Sequence, residues 1–163
     1  MSAHAWFAFA AAVVLSACAS APPFEMKNVN TAITPNDAIA KIDILRGSRV
    51  LWGGVIINSK NLEKGTQLEM LAYPLSNQHR PQLDREPLGR FIIEHGSYLE
   101  TISYAPGREL SLIGTVTGTK EAKIDAASTI YPAVASEQIH LWPKGGNNSE
   151  PQFHFGVGVM LHN

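Results

Sequence analysis

The chain has 163 residues, of which 45% are hydrophobic and 17% are charged, a composition that suits one ordinary globular domain. Its formal net charge of -1 excludes the global electrostatic footprint expected of a protein that binds nucleic acid or an anionic membrane by charge. A single cysteine cannot close an intramolecular disulfide, so the folded part has to be stabilised by its core.

An apolar run opens the chain. It spans residues 6–15, "WFAFAAAVVL", and the small residues Ser16 and Ala17 follow it. Its length fits the hydrophobic region of a signal peptide, roughly 7–15 residues, and falls short of the roughly 18 residues of a membrane-spanning helix. A buried strand or helix is the alternative, but the run has neither polar alternation nor a polar face. These features predict a signal peptide over residues 1–17, although no Lys or Arg precedes the run.

The only cysteine of the chain follows this run directly. Residues 15–18, "LSAC", resemble the bacterial lipobox, in which lipoprotein signal peptidase cuts before a cysteine that carries diacylglycerol. The resemblance implies cleavage between Ala17 and Cys18, and three acyl chains on Cys18. Since each buried methylene contributes about 0.8 kcal/mol, three chains make the attachment effectively permanent. Ala19 stands where an aspartate would retain such a protein at the inner membrane, which implies export to the outer membrane of a Gram-negative bacterium.

The residues after the cysteine have the composition of a linker. Residues 19–33, "ASAPPFEMKNVNTAI", are mostly small, contain two prolines and show no clear periodicity. We expect residues 18–33 to form an acylated cysteine and a flexible tether. Fully extended, the tether would reach about 50 Å, at about 3.3 Å per residue.

A helix is predicted at the start of the folded domain. Thr34 suits the N-cap, Pro35 the first helical position and Asp37 the first turn, and Gly47 stands where the helix would end. The apolar residues that fall on one face of this helix are Ala38, Ile39, Ile42 and Leu45.

Beyond the helix, the hydrophobic period becomes that of β-strands. Five strands are predicted, over residues 49–58, 66–75, 88–95, 108–118 and 129–142, the last with a break near Pro132 or Ser136. The pair Gly53–Gly54 would let the first strand bend sharply. Residues 96–107 are predicted to form a compact connection with one helical turn, and residues 119–128 a loop. In the fourth strand, the alternation turns Leu110, Leu112, Gly114 and Val116 toward the core, and Ser111 and Thr115 toward the tolerant outer face.

This order of elements predicts the fold. Three strands, a helical turn and two strands are the order of a mainly β, OB-like Greek-key barrel, here with one N-terminal helix. Another small β-sandwich would give a similar pattern. We place the barrel domain at residues 34–142 and a polar linker with a strand-like tail at residues 143–163. For the alternating "FHFGVGVM" of the tail, pairing with its own barrel, disorder, and strand addition to another envelope protein all remain open.

Several segments in the same order carry a family resemblance. The segments "VLWGGVIINSKN", "LEMLAYPL", "GRF", "YAPGREL", "LIGTVTG" and "IYPAV" resemble the Slp family of outer membrane lipoproteins, which is named for a starvation-inducible member. The likeness runs from about Asn30 to Trp142. It departs at Ser76, where the family favours an aspartate, and at "SYLET", where it favours "GFLDP". The resemblance implies a lipid-anchored outer membrane protein and brings no established activity with it.

Motifs for catalysis are missing from the sequence. It contains no G-x-S-x-G elbow, no P-loop, no H-E-x-x-H and no dinucleotide fingerprint. Cys18 cannot act as a nucleophile once it is acylated, and no two histidines have metal-ligand helical spacing. We therefore expect a non-enzymatic protein with no metal and no cofactor.

The expected ligand face comes from the predicted fold. The second and third strands of OB-folds, with their adjoining loops, often bind oligonucleotides or oligosaccharides. The candidates in these regions are Tyr73, Arg90, Tyr98 and Tyr104. Because compartment and charge oppose nucleic acid, the expected partners are outer membrane lipid through Cys18, the lipoprotein export machinery, and an envelope glycan or protein. The preferred function is binding or supporting envelope components; the alternative is a glycan- or lipopolysaccharide-directed binding protein or enzyme.

Overall fold

A computed structural model describes residues 24–124 and 127–145 of the chain. Within these ranges, two short helices precede five strands. Their bounds are α1 Pro35–Ala40, α2 Ile42–Leu45, β1 Arg49–Asn61, β2 Thr66–Ala72, β3 Arg90–His95, β4 Glu109–Ile124 and β5 Ala127–Leu141. The predicted signal peptide, Cys18 and the C-terminal tail beyond Gly145 lie outside the described residues.

The five strands form a closed barrel in the order β1-β2-β3-β5-β4. Neighbouring strands are antiparallel, except that β3 and β5 run parallel. This is the predicted mainly β, OB-like barrel, and residues 101–104 add the expected helical turn, in which the Tyr104 N–H donates to the carbonyl of Glu100 (2.9 Å). Closure leaves no open sheet edge around the barrel itself.

The first strand closes the barrel because it pairs with two neighbours. Its first part, Arg49–Val55, pairs with β4, and its second part, from Gly54 to Asn61, pairs with β2. Gly54 belongs to both ladders, and a Cβ atom there would lie 1.9 Å from the carbonyl oxygen of Leu71. Only glycine permits so close an approach of two backbones. The change of neighbours thus falls at the predicted glycine pair.

Alternate residues of the strands fill the barrel. The buried core contains Val50, Trp52, Ile56, Leu68, Met70, Ala72, Phe91, Ile93, Leu110, Leu112, Val116 and Val134. The inward set predicted for the fourth strand is therefore confirmed. The prediction that Ser111 lies on a tolerant outer face is wrong. The chain between β2 and β3 covers Ser111 and leaves it 0% exposed.

The N-terminal helix covers one end of the barrel. Thr34 and Asp37 form the predicted capping box, in which the Asp37 N–H donates to the Thr34 hydroxyl (3.1 Å) and the Thr34 N–H donates to the Asp37 carboxylate (3.0 Å). Hydrogen bonds from the side chain and the backbone of Thr34 lower the pKa of Asp37. Ala38 is fully buried in the core. The prediction of one helix is wrong, because Lys41 leaves the helical conformation (φ -131°, ψ 37°) and divides it into α1 and α2.

The fourth and fifth strands are longer than predicted. Residues 119–128, expected to be a loop, belong mostly to these strands, which pair from Thr119↔Pro132 outward as a two-stranded ribbon beyond the barrel. Polar residues are compatible with such a ribbon because both of its faces meet water. The expected break near Ser136 is a bulge, since the register shifts between Ile113 and Gly114 opposite this part of β5.

The residues before the helix pack on the barrel, starting from Phe24, the first described residue. Phe24 is only 7% exposed and packs with Leu51 and Ile113 on the outer surface of the barrel. The Asn30 N–H donates to the carbonyl of Arg49 (2.8 Å), next to the start of β1. Residues 24–33, expected within the flexible tether, thus lie against the barrel wall.

Removing core volume from β4 tests this packing. We expect Leu112→Ala to lower the free energy of unfolding by about 2–5 kcal/mol, because Leu112 is fully buried and the substitution leaves a cavity. The matched control is Thr115→Ala, which removes one exposed hydroxyl hydrogen bond to Glu137 and should cost about 1 kcal/mol or less. Denaturant unfolding of the two variants measures both values. Equal losses would mean that the register of β4 is wrong.

Candidate functional site: an uncharged cleft beside the barrel

A cleft of about 580 Å³ opens between the chain that enters α1 and the chain that leaves β2. One wall comes from residues 31–35 and the other from residues 73–79. The floor consists of Leu51–Gly53 of β1, with Ala72 and Leu88. The volume lies within the range of small-molecule sites, about 300–1,000 Å³.

The first wall is fixed to the barrel through Trp52. Its buried indole N–H donates to the carbonyl of Ile33 (2.7 Å). The same indole packs edge-on against Phe91, with ring centroids 5.1 Å apart. Since a buried indole N–H needs an acceptor, this hydrogen bond ties the segment before α1 to the core.

The second wall is a loop that pairs with itself. The Ser76 N–H donates to the carbonyl of Arg80 (2.8 Å), and the Gln82 N–H donates to the carbonyl of Pro74 (2.9 Å). The Tyr73 N–H donates to the carbonyl of Gly53 (3.0 Å), which joins the start of the loop to the floor. These backbone bonds give the wall a defined shape although it belongs to no strand of the barrel.

A polar network joins this loop to β4 and to Trp142. The Arg80 guanidinium donates twice to Glu109 (2.8 and 3.1 Å) and lies 5.5 Å from the ring centroid of Trp142. The hydrogen bonds to Glu109 raise the pKa of Arg80. The Trp142 indole N–H donates to the hydroxyl of Ser111 (2.9 Å), which in turn donates to the carbonyl of His79 (2.6 Å). The network explains why Ser111 is buried and fixes the loop above β4.

Among the residues that the structure describes, no formally charged side chain lines the cleft. Its apolar and aromatic lining comes from Ile33, Pro35, Leu51, Trp52, Gly53, Ala72, Tyr73, Pro74, Leu75 and Leu88. Its polar lining comes from Thr31, Thr34, Ser76, Asn77 and His79. The Nδ1 atom of His79 is buried and has no hydrogen-bond partner in the described part of the chain. Neutral polar groups thus border an apolar floor, and the buried Nδ1 atom of His79 is not accessible to a ligand in the cleft.

The structure separates the four predicted ligand residues. Tyr73 lines the cleft, whereas Arg90 pairs with Glu69 (2.8 Å) on the second and third strands. Tyr98 is 64% exposed, and its hydroxyl donates to the carbonyl of Glu63 in the β1–β2 loop (2.7 Å). Tyr104 packs against the core. Since Tyr73 and Tyr98 lie near opposite ends of β2, about 20 Å of strand separates them. Their role as one ligand face stays a prediction that this arrangement does not support.

Several residues of the cleft were missed from the sequence. The sequence pattern indicates a core position for Trp52 and ordinary loop positions for Asn77 and His79. The segment "YPLSNQHRP" lies within the region that resembles the family. That resemblance is the sequence feature that could have pointed to the second wall. The left-handed backbone of His79 (φ 64°), which tightens the loop, has no signature in the residue type.

The chain matches the outer membrane lipoprotein Slp family over residues 15–157. It therefore belongs to this family, and its role is that of an outer membrane lipoprotein. The match includes Cys18 and extends past Trp142 into the tail, so it is longer than the resemblance described from the sequence.

Two comparisons name similar proteins. An uncharacterized protein of Haemophilus influenzae is 28% identical over 124 residues, which cover 75% of this chain and 67% of that protein. Among solved structures, the mitochondrial single-stranded DNA-binding protein Rim1 of S. cerevisiae is 9% identical with a TM-score of 0.34, covering 58% of this chain and 94% of that one. Similarity at this TM-score supports no inference about the chain.

The described residues contain neither a metal-ligand cluster nor a membrane-spanning helix. Within residues 24–124 and 127–145, no group of three or more His, Cys, Asp or Glu side chains could hold a metal ion. Over the same residues, no helix has the length and apolarity needed to cross a membrane.

Proposed function

We propose that this protein is a non-enzymatic lipoprotein, anchored by acyl chains on Cys18, that binds a neutral envelope glycan in the cleft. The observation that carries the binding part is the cleft itself, with its aromatic and aliphatic floor and its hydroxyl, amide and imidazole rim. The anchor rests on the family match, which begins at residue 15 and so includes the "LSAC" segment.

A neutral sugar fits the chemistry of this cleft. Sugar rings present C–H faces that pack on aromatic side chains, and their hydroxyl groups exchange hydrogen bonds with neutral polar groups. Tyr73 supplies an aromatic ring, and Thr31, Asn77 and His79 supply polar groups. A phosphate or carboxylate ligand would call for Arg or Lys in the lining, and neither is present. These features favour a neutral glycan over the anionic groups of lipopolysaccharide.

Binding is favoured over cleavage of the glycan. Glycoside hydrolysis commonly uses two carboxyl groups on either side of the scissile bond. In the described part of the chain, neither Asp nor Glu lines the cleft. The nearby Glu109 accepts two hydrogen bonds from Arg80 and is engaged in holding the loop.

The anchor predicts a covalent change at Cys18. Mass spectrometry of the mature protein should find three acyl chains on an N-terminal Cys18, because processing would remove residues 1–17. Cys18→Ser should release the protein from membranes or leave it unprocessed, and Ser20→Ala, the matched control, should change neither. Membrane-bound protein with an unmodified Cys18 thiol would contradict the anchor.

The cleft predicts a measurable difference between two tyrosines. The probe is chitotriose, here the uncharged trimer of N-acetylglucosamine, which should bind to the acylated protein held in lipid nanodiscs. Tyr73→Ala should lower the affinity roughly tenfold or more, because it removes the aromatic ring from the cleft. Tyr98→Ala should leave the affinity unchanged, because Tyr98 lies near the other end of β2. Isothermal titration calorimetry measures both. The proposal fails if neither chitotriose nor another neutral glycan fragment binds. It also fails if Tyr98→Ala, rather than Tyr73→Ala, lowers the affinity.

A further inference from the structure

The first residue that the structure describes is close in sequence to the proposed lipid anchor. Phe24, the first described residue, is the sixth residue after Cys18. Whatever their conformation, six residues span at most about 20 Å, at about 3.3 Å per residue. The sequence alone implied a tether of about 50 Å, because nothing in its pattern shows that the chain is already packed at Phe24.

Several contacts hold residues 24–30, the N-terminal segment, on one wall of the barrel. Phe24 packs with Leu51 and Ile113, and its ring lies 6.0 Å from the ring of His79 and 6.4 Å from that of His140. This apolar contact covers the outer surface of β1 and β4 and extends toward β5.

Polar contacts reinforce the same attachment. The Glu25 N–H donates to the side-chain carbonyl of Gln138 on β5 (3.1 Å). The Arg49 guanidinium donates to the carbonyl of Lys27 and to the carboxylate of Glu137 (2.6 Å). Although partial burial raises the pKa of Glu137, hydrogen bonds from Arg49 and Thr115 outweigh it, and the pKa is lowered. The N-terminal segment thus contacts three strands through apolar and polar groups.

The length of the tether limits which side of the barrel can face the membrane. A compact domain of about 100 residues has a radius of gyration of about 13 Å and is roughly 30 Å across. If the side opposite Phe24 lay on the bilayer, the chain would have to bridge that whole width to reach a cysteine embedded at the surface. A span of about 20 Å is too short.

We propose that the barrel lies on the phospholipid bilayer with the wall that carries the N-terminal segment toward the membrane. The proposal rests on the acylation of Cys18. The surface it assigns to the bilayer surrounds Phe24 and includes the exposed Lys27. The β1–β2 loop and the β4–β5 ribbon point away from the membrane.

The orientation also positions the cleft. Leu51 and Leu75 belong both to the cleft lining and to the apolar cluster around Phe24, and His79 links the two through its ring. The cleft therefore opens beside the membrane-facing wall. It would meet ligands close to the bilayer surface rather than ligands deep in the aqueous space.

Spin labels can test the orientation because acylated Cys18 leaves the mature chain without a free thiol. Single labels would be placed at Lys27→Cys, beside Phe24, and at Lys64→Cys and Ile130→Cys, in the β1–β2 loop and the ribbon. Leu51 and Gln138 contact the N-terminal segment. Lys64 is 13 residues along the chain from Leu51, and Ile130 is eight residues from Gln138. At about 3.3 Å per residue of strand, each separation along the chain is roughly 25 Å or more. The full mature lipoprotein would be reconstituted in phosphatidylethanolamine–phosphatidylglycerol vesicles with a small fraction of nickel-chelating lipid.

We expect nickel to relax the label at position 27 several-fold more strongly than the labels at 64 and 130. A 20-residue Gly/Ser insertion between Pro23 and Phe24 should remove the difference, because it restores the reach of a long tether. Equal relaxation in the unmodified chain, stronger relaxation at 64 or 130, or a difference that survives the insertion would each overturn the proposal.

Flotation of the vesicles separates this inference from the proposed function. Protein that floats with the vesicles but shows equal relaxation at all three positions refutes the orientation alone. Protein that does not float refutes the anchor, and the orientation with it. Circular dichroism and thermal unfolding of each variant would check that the barrel is intact.

Discussion

The architecture depends on one strand that serves two neighbours. Because β1 passes from β4 to β2 at Gly54, the sheet closes on itself, and Gly54 can hold that position only because it has no Cβ. The same crossing determines what lies on the outer surface of β1. Leu51 receives Phe24 from the N-terminal segment, and Gly53 brings Ser111 and Leu75 close beneath the β2–β3 loop. The closure of the barrel, the surface that receives Phe24 and the floor of the cleft are therefore consequences of one bent strand.

Much of the barrel could be predicted because its determinants are local. Alternating burial identified the strands, the capping box marked the start of α1, and the glycine pair marked the crossing in β1. The errors occur where the determinants are contacts between distant residues. The β4–β5 ribbon is polar in sequence and forms through cross-strand pairing, and Ser111 is buried only because a loop from another part of the chain covers it. Likewise, the packing of Phe24 depends on a surface created by β1 and β4.

The cleft lay beyond sequence reasoning for the same reason. Its two walls and floor come from segments some 20 residues apart, and the hydrogen bond from Trp52 to Ile33 that joins two of them has no sequence signature. OB-folds commonly bind on the second and third strands, where Arg90 instead pairs with Glu69. The concave surface lies instead beside β1, where residues 31–35, between the N-terminal segment and α1, form one of its walls. The N-terminal segment, to which we assign the membrane-facing wall, also adjoins the cleft through Leu51 and Leu75.

The chain is packed on the barrel from Phe24 onward, which leaves five residues between the barrel and the proposed anchor, Cys18. Native-state hydrogen exchange of the mature protein tests it at one amide. The Asn30 N–H donates to Arg49 (2.8 Å), so it should exchange slowly, with protection near that of the Ala72 N–H inside the barrel, which donates to Gly89 (2.8 Å). Exchange of Asn30 at the rate of an unstructured chain would show that the N-terminal segment is free and would contradict the account.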